Sequence, residues 1–572
     1  MENVEFASIF YDVAALLELK EENVFKIRAY QRAAANVENL AHNLETVYQS
    51  GGIKALEEIP GIGKNIAQHI EEMIKHGTFK EYEELKKSFP KGFLELSQLP
   101  GLGPKTALRL NKELKIDSVE KLEKAAKAGK LRRLPGFGAK KEENILKGIA
   151  LKQKHAGRFL LNDAEAHAEY LVDHLSGLPE VKKIIPCGSL RRGQETVGDL
   201  DILIVSDKPE KIMETFTKLP AVQQVLAHGE TKASVVLKNG MQADLRVVPE
   251  KSFGAAAHYF TGSKGHNIHL RELAQKKGWK VNEYGIFDKH EKQIGGAREE
   301  EMFERFGLQF IPPELREMRG EFEAAAKGAI PKLIELSDIK GDLHMHTTAT
   351  DGQNTISEMA EAAKKKGYEY IAITDHTLST RIAGGLSEKE ALKHLKEIHE
   401  AGKKIRGIII LAGAEVDIKP SGEMDYSDEV LAQFDFIISS VHSNFKMPKD
   451  KMTARIIKAV QNPYVKALGH PTGRLIGRRE PYEVDLEAVL KACHKSNTAV
   501  EINSFPDRLD LNDVWCKRAK ELGVKIIINT DSHQTDQLDL IRYGIMTARR
   551  GWLTKKEVLN TLPLKEFLAA LK

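Results

Sequence analysis

The sequence is poor in cysteine: its 572 residues include three, Cys187, Cys493 and Cys516. These are too few and too scattered for a disulfide framework or a zinc ribbon, and are expected to be semi-buried thiols. No apolar run is long enough to span a bilayer, so no membrane partner is expected. The N-terminal MENVEFASIFYDV lacks the basic segment and apolar stretch of a signal peptide, so the cytoplasm is the expected compartment. Net charge is also small, at +4, and the total therefore gives no argument for a nucleic-acid partner. Its distribution does. Residues 101–150 carry thirteen Lys or Arg against six Asp or Glu, whereas residues 1–100 carry eleven against sixteen. With 41% hydrophobic and 29% charged residues the chain has a normal soluble balance. Its length suggests roughly three to five domains.

One turn occurs three times in the N-terminal region: IPGIGKN from Ile59, LPGLGPK from Leu99 and LPGFGAK from Leu134. Each lies between helix-patterned stretches. The paired glycines (Gly61 and Gly63, Gly101 and Gly103, Gly136 and Gly138) allow a tight turn and bare the amides of the next helix N-terminus, where a phosphate oxygen fits. Lys64, Lys105 and Lys140 add positive charge beside it. A single copy would fit a plain inter-helix turn as well as a phosphate site, but three copies favour contact with the DNA backbone. The pattern resembles the helix-hairpin-helix motif, which holds phosphates without reading bases.

The segment CGSLRRGQETVGDLDILIVSD, Cys187 to Asp207, places Asp199 and Asp201 on one face of a strand. Two adjacent carboxylates repel unless a cation neutralises them, and Mg²⁺ suits hard oxygen ligands that also bind phosphate. This context resembles the nucleotidyltransferase palm and, within it, the family X DNA polymerases. By that resemblance, MQADLRVVP supplies the third catalytic carboxylate, Asp244, and the site takes two Mg²⁺ or Mn²⁺ ions. Gly188, Ser189, Arg192 and Gly198 would bind the nucleotide, with Ser189 and Arg192 on its triphosphate. Tyr259, Phe260 and Gly262 would crowd the sugar 2′ position, and Asn267 and Arg271 would monitor the nascent pair. The sequence departs from the pattern at Val197, where relatives carry a serine that helps hold phosphate.

From Ile339 onward, seven short β-rich runs (GDLHMH, YIAITDH, IIILAGAEVDI, FDFIISSVH, VKALGHP, TAVEINS and KIIINTDSH) alternate with amphipathic helical stretches. The alternation predicts a parallel barrel in preference to an open sheet, with its chemistry at the strand C-termini. Metal-ligand residue types collect there: His344, His346, Asp351, His376, Glu415, His442, His470, Asp531 and His533. An Asp-Leu-His-Met-His strand would present both imidazoles to one spot. Nine mixed N and O donors are too many for one ion, so two or three are expected, with Mn²⁺, Zn²⁺ or Fe²⁺ favoured. The order of these motifs resembles the PHP (polymerase and histidinol phosphatase) domain, whose fold is a distorted seven-stranded barrel with a trinuclear centre.

The expected architecture is therefore multidomain. Helical helix-hairpin-helix regions occupy 1–90 and 91–152, followed by an α+β palm at 153–252 and a thumb at 253–315. A helical linker at 316–335 leads to a distorted (β/α)7 PHP barrel at 336–572. The resemblance implies a bacterial family X polymerase fused to a PHP nuclease, a monomer that fills gaps in DNA repair and trims 3′ ends. Its partners would be gapped or primer-template DNA and deoxynucleoside triphosphates. Two alternatives stay open: a polymerase whose barrel is only structural, and a DNA-end-binding platform. Aligned on the family's first hairpin, PGIGKNIAQHIEE places His69 at the position of the abasic-site lyase nucleophile and Asn65 at a supporting lysine. An imidazole cannot form the iminium, so little lyase activity is expected.

Overall fold

In the first 150 residues apolar side chains recur at three- and four-residue spacing, and the regular structure among the described residues there is helical. Helix α1 (Lys64–His76) buries Ile66, Ala67, Ile70 and Met73 on one face and ends where the Gly77 amide, at φ 75°, donates to Met73 O. The computed structural model describes residues 3–571 except 21, 39–43, 60, 91, 98, 100, 101, 103, 136, 140, 144, 147, 148 and 150–156. They divide into two compact units, Met1–Ala156 with Leu475–Glu480, and Gly157–Arg474 with Pro481–Lys572.

In the first unit the three repeated turns share one hydrogen bond. Ile62 donates to Ile59 O, Leu102 to Leu99 O and Phe137 to Leu134 O, at 3.0, 2.9 and 2.9 Å. Ile62, Leu102 and Phe137 are buried, so each turn is pinned by its middle apolar residue. α1 follows the first turn and α2 (Pro104–Leu114) the second. Gly61 has φ 78°, and a Cβ there would meet the Asn36 side chain at 2.5 Å, which explains the glycine. Gly63, Lys64, Lys105 and Gly138 are exposed. Gly101, Gly103, Gly136 and Lys140 lie outside the described residues.

The second unit begins with a five-stranded sheet made of β1 (Lys183–Pro186), β2 (Asp199–Val205), β3 (Val222–His228), β4 (Lys232–Leu237) and β5 (Gln242–Val248). Its order is β1-β2-β5-β4-β3, with β2 and β5 parallel. Two helices follow, α3 (Phe253–Thr261) and α4 (Lys264–Lys276). A small antiparallel sheet of β6 (Lys280–Asn282), β7 (Gly285–Phe287) and β8 (Gln293–Gly295) comes next. Helix α5 (Glu321–Ala326) lies in the stretch expected as a linker. That stretch is no free tether: Phe322, Ala325, Ile330 and Leu333 pack into one cluster with Ala255, Leu270, Ile286 and Phe303.

The seven β-rich runs form seven parallel strands in sequence order: β9 (Gly341–Asp342), β10 (Tyr370–Ile373), β11 (Ile409–Asp417), β12 (Phe436–Ser440), β13 (Val465–Leu468), β14 (Ala499–Asn503) and β15 (Ile526–Asn529). A parallel bridge between Met345 and Ser532 joins the two ends of the sheet and closes the barrel. Side chains alternate as a pleat requires. Tyr370, Ala372, Leu411, Phe436, Ile438 and Ile527 pack with Phe567, while Ile371, Ile373, Ile410, Ile437 and Ile526 pack on the other side. Helix α6 (Ile541–Arg550) lies against this half through Gly544, where a Cβ would meet Ser504 Oγ at 2.1 Å.

Two expectations need correction. The first barrel strand ends at Asp342, so His344 and His346 stand beyond it and not on a strand, although both side chains are fully buried and point to one site. The barrel closes through single bridges there, which shortens the ladder. All three cysteines are fully buried, not half-buried, and burial pushes the thiols of Cys187 and Cys493 up to about 12. No helix among the described residues is long and apolar enough to cross a membrane.

Candidate active sites

The parallel register of β2 and β5 sets Asp201 directly opposite Asp244, and Asp199 lies two residues before Asp201 on the same face. Asp199 is exposed, whereas Asp201 is half-buried. Burial, then Asp199 and Asp244, push the Asp201 carboxyl up to about 7. Three carboxylates in this state call for a cation, and hard oxygen donors suit Mg²⁺ or Mn²⁺. Gly188, at φ 62°, is needed because a Cβ there would lie 2.4 Å from Asp201 Oδ2. The Cys187 amide donates to Asp201 O at 2.7 Å and ties the Gly188–Arg192 turn to β2.

That turn is fastened to the end of α3 by two arginines. Arg191 Nη1 donates to Thr261 Oγ1 (2.8 Å), and Arg192 Nη1 to Thr261 O (2.6 Å). Ser189, Arg192 and Gly262 are thereby brought together. Asn267 Nδ2 donates to Tyr259 O (2.8 Å), and Asn267, Arg271, Tyr259 and His258 line one cleft with Val281 and Asn282. Phe260 sits edge-on to Tyr259, ring centroids 5.1 Å apart. Val197 is fully buried in a short strand paired with Phe159–Leu160, so it serves packing where relatives place a phosphate-binding serine.

Sequence reasoning missed the ion network behind this turn. Glu299 accepts from Arg191 Nη2 (2.6 Å) and from the fully buried Arg316 Nη1 (2.7 Å). Burial, which would raise the Glu299 pKa, is outweighed by Arg316 and Arg191, which hold it at about 2. The Arg-Arg doublet was the available signal, but its acidic partner lies more than a hundred residues away.

All nine ligand-type residues expected at the barrel's strand ends converge. Three groups could each hold an ion: His346, Asp351, His376 and His533; His344, His346 and Asp531; and His376, Glu415 and His442. Glu415 is central, with His376 Nδ1 and His470 Nε2 at 2.9 Å and His442 Nε2 at 3.2 Å. Its burial is outweighed by His442, His344 and His376, which hold its pKa well below the ordinary range. Conversely, Glu415 and Asp417 outweigh burial at His442 and lift it to about 9. Burial at His344 is likewise outweighed by Asp531, Glu501 and Glu415.

The donor set fits metal. Among the described residues, His346 Nδ1 and His470 Nδ1 are buried and make no hydrogen bond. Mixed imidazole and carboxylate donors in overlapping groups match a site for more than one ion. Two ligand positions also carry uncommon backbone: His470 has φ 25° and Asp531 φ 57°.

A second layer of acids, also missed from sequence, aims the imidazoles. Glu501 Oε1 accepts from His344 Nδ1 (2.8 Å), so the other nitrogen, Nε2, faces the cluster. Asp417 does the same for His442 Nδ1 (3.2 Å). Asp375 accepts from Thr347 N, Thr347 Oγ1, Thr350 Oγ1 and His394 Nε2, and so fixes the loop that carries Asp351. ITDH and GAEVDI held clues, since they place Asp375 and Asp417 at strand ends, whereas Glu501 lies mid-strand in TAVEINS.

In the first unit, His69 packs between Phe79 and Tyr30, with ring centroids 4.2 and 6.1 Å away. Burial lowers its pKa. Lys64, five residues earlier, is exposed at the start of α1.

Known proteins match this chain along its length. Family models match for a helix-hairpin-helix domain (residues 1–79), a SAM-like helix-hairpin-helix tandem (93–150), the DNA polymerase beta palm (161–271), the DNA polymerase beta thumb (256–317) and the PHP domain (342–505). The DNA polymerase/3′-5′ exonuclease PolX of Bacillus subtilis (strain 168) is 40% identical over 575 residues, covering 100% of both chains. A probable phosphatase of Thermoanaerobacter sp. (strain X514) is 34% identical over 240 residues, which is 40% of this chain and 93% of that one. A ternary primer/template complex of Leishmania infantum polymerase beta matches at 23% identity and a TM-score of 0.27, over 40% of this chain and 98% of that one. That last likeness is too distant to carry weight.

Proposed function

Because the chain belongs to the PolX family, family X DNA polymerases with a C-terminal PHP domain, we propose that it fills short gaps in DNA and trims 3′ ends, with one active site for each task. The observation that supports it is geometric: Asp201 faces Asp244 with Asp199 beside them, and in the barrel eight ligand-type residues form three overlapping groups, with His470 against Glu415. In this reading, helical regions 1–90 and 91–152 hold the DNA backbone, the palm spans 153–252, the thumb 253–315 and the nuclease barrel 336–572. Residues 316–335 pack on the thumb. The protein acts as a monomer in the cytoplasm.

Asp199, Asp201 and Asp244 would hold two Mg²⁺ or Mn²⁺ ions, whose chemistry is to acidify the primer 3′-hydroxyl and neutralise leaving pyrophosphate. Ser189 and Arg192 grip the triphosphate, helped by Gly188 and Gly198. Tyr259, Phe260 and Gly262 exclude a 2′-hydroxyl, while Asn267 and Arg271 face the new pair. In the barrel, His344, His346, Asp351, His376, Glu415, His442, His470, Asp531 and His533 would hold two or three Mn²⁺, Zn²⁺ or Fe²⁺ ions, which supply an activated water and clamp a phosphodiester. Glu501 and Asp417 keep His344 and His442 in the tautomer that faces the cluster. Gly61, Gly63, Lys64, Gly101, Gly103, Lys105, Gly136, Gly138 and Lys140 contact phosphates.

A gapped duplex with a 5′-labelled primer tests the proposal. With deoxynucleotides the primer should lengthen to fill the gap; without them it should shorten from its 3′ end. An intact primer without nucleotides would leave the barrel a structural role, and absence of extension would leave a DNA-end-binding platform. Faster release of phosphate from a small phosphomonoester than of nucleotides from the primer would assign the barrel as a phosphatase instead.

A further inference from the structure

The last residue of α6, Arg550, is buried, 4% exposed, and its guanidinium reaches out of the barrel half. Its Nη1 donates to the backbone carbonyl of Arg192 (2.7 Å) and to Glu317 Oε1 (3.0 Å), and its Nη2 donates to Asp513 Oδ2 (2.7 Å). The same Glu317 oxygen accepts from Arg192 Nε (2.9 Å) and Gln194 Nε2 (2.6 Å). Next to Arg192, Gly193 has φ 63°, and a Cβ there would stand 3.4 Å from Met546 Cβ and 3.7 Å from Arg550 Cδ. The turn that carries Arg192 therefore rests on α6 by backbone, side chain and close packing.

Two cations share one carboxylate here, and that arrangement has a consequence. Were Glu317 paired with Arg192 alone, it would cancel the charge that a triphosphate needs. With Arg550 on the same oxygen, and Arg319 beside it on Asp513, three cations face two carboxylates, so the group keeps a net positive charge, and the Arg192 carbonyl is held from behind. We propose that Arg550, from the PHP half, is a positioning residue for nucleotide binding in the polymerase half: it fixes the Arg192–Gly193 turn and draws on Glu317, so that Glu317 does not fully neutralise Arg192 before the incoming triphosphate. This rests on the reading of Arg192 as a triphosphate ligand.

Arg550→Met is a fair test because it leaves no carboxylate without a cation. Asp513 keeps Arg319 Nη1 at 2.9 Å, and Glu317 keeps Arg192. Single-nucleotide gap filling by the full chain, with deoxynucleotide varied, should show KM raised about ten-fold, as expected for loss of buried charge-assisted hydrogen bonds. kcat should stay within about two-fold, and primer degradation should not change. Arg550→Lys should fall between the two. In a Glu317→Gln background the Arg550→Met effect should shrink, since the two groups act through one contact. Arg192→Ala separates the two readings. If it leaves the nucleotide KM unchanged, the triphosphate assignment fails and the inference goes with it. If it raises KM while Arg550→Met does not, the inference alone is overturned. A joint loss of kcat, degradation and thermal stability in Arg550→Met, not restored by Arg550→Lys, would make Arg550 merely structural and overturn it too.

Discussion

Replacing Glu501 with Gln should weaken metal loading in the barrel without touching its ligands. Glu501 is fully buried, and both its oxygens are engaged: Oε1 accepts from His344 Nδ1 (2.8 Å) and Asn529 Nδ2 (3.0 Å), and Oε2 from the His470 amide (2.7 Å). An amide fills the same space but has one accepting end, so its NH₂ must face donors on one side or the other. One or two charge-assisted hydrogen bonds are lost, each worth about 1.5–3 kcal/mol. His344 or His470 then loses its fixed orientation, and loss of such a supporting contact lowers metal affinity about 10- to 100-fold. Protein stripped with chelator and titrated with Mn²⁺ gives the assay, read as release of nucleotides from a labelled 3′ end. The half-saturating Mn²⁺ should rise by that factor, the rate at saturation should largely recover, and gap filling should be unchanged. An unaltered Mn²⁺ dependence, or a parallel loss of extension, would refute the reasoning.

Lys64→Ala and Lys105→Ala should each weaken DNA binding about equally across sequences and lower the slope of log K against log salt by about 1, measured by anisotropy at several salt concentrations. Borohydride reduction with a 5′-deoxyribose-phosphate substrate should trap little protein while gap filling is normal; strong trapping that disappears in Lys64→Ala would contradict this. Glu299 stands at about 2 in the fold against an ordinary 4.5, so its pairing with Arg191 and Arg316 contributes fully above pH 4.5 and is lost as pH falls toward 2. Thermal melts should show that acid loss in the native protein, and Glu299→Gln should melt lower at pH 7, by about 3–5 kcal/mol, with a flatter acid limb.

Much of this was legible in the sequence because the relevant signals are local. Short β-rich runs alternating with amphipathic helical stretches marked the seven barrel strands, and the Asp-x-Asp spacing alone put Asp199 and Asp201 on one face. The proline-glycine turns marked helix junctions, and each proves to be pinned by its middle apolar residue. The supporting layer was not legible. Glu501 and His344 are 157 residues apart, Arg191 and Glu299 are 108, and Arg192 and Arg550 are 358. Nothing in local spacing specifies such pairs; the packing of α6 and the closure of the barrel create them. The packing of the linker stretch was not legible for a similar reason: Phe322, Ile330 and Leu333 bury against residues up to some eighty positions earlier.

The central claim is that one chain houses two independent active sites. Extension and degradation of the same gapped duplex by the full chain, by Asp201→Ala and by His344→Ala measure it most directly. Asp201→Ala should lose extension and keep degradation, whereas His344→Ala should lose degradation and keep extension. Loss of both activities in either variant would contradict the account.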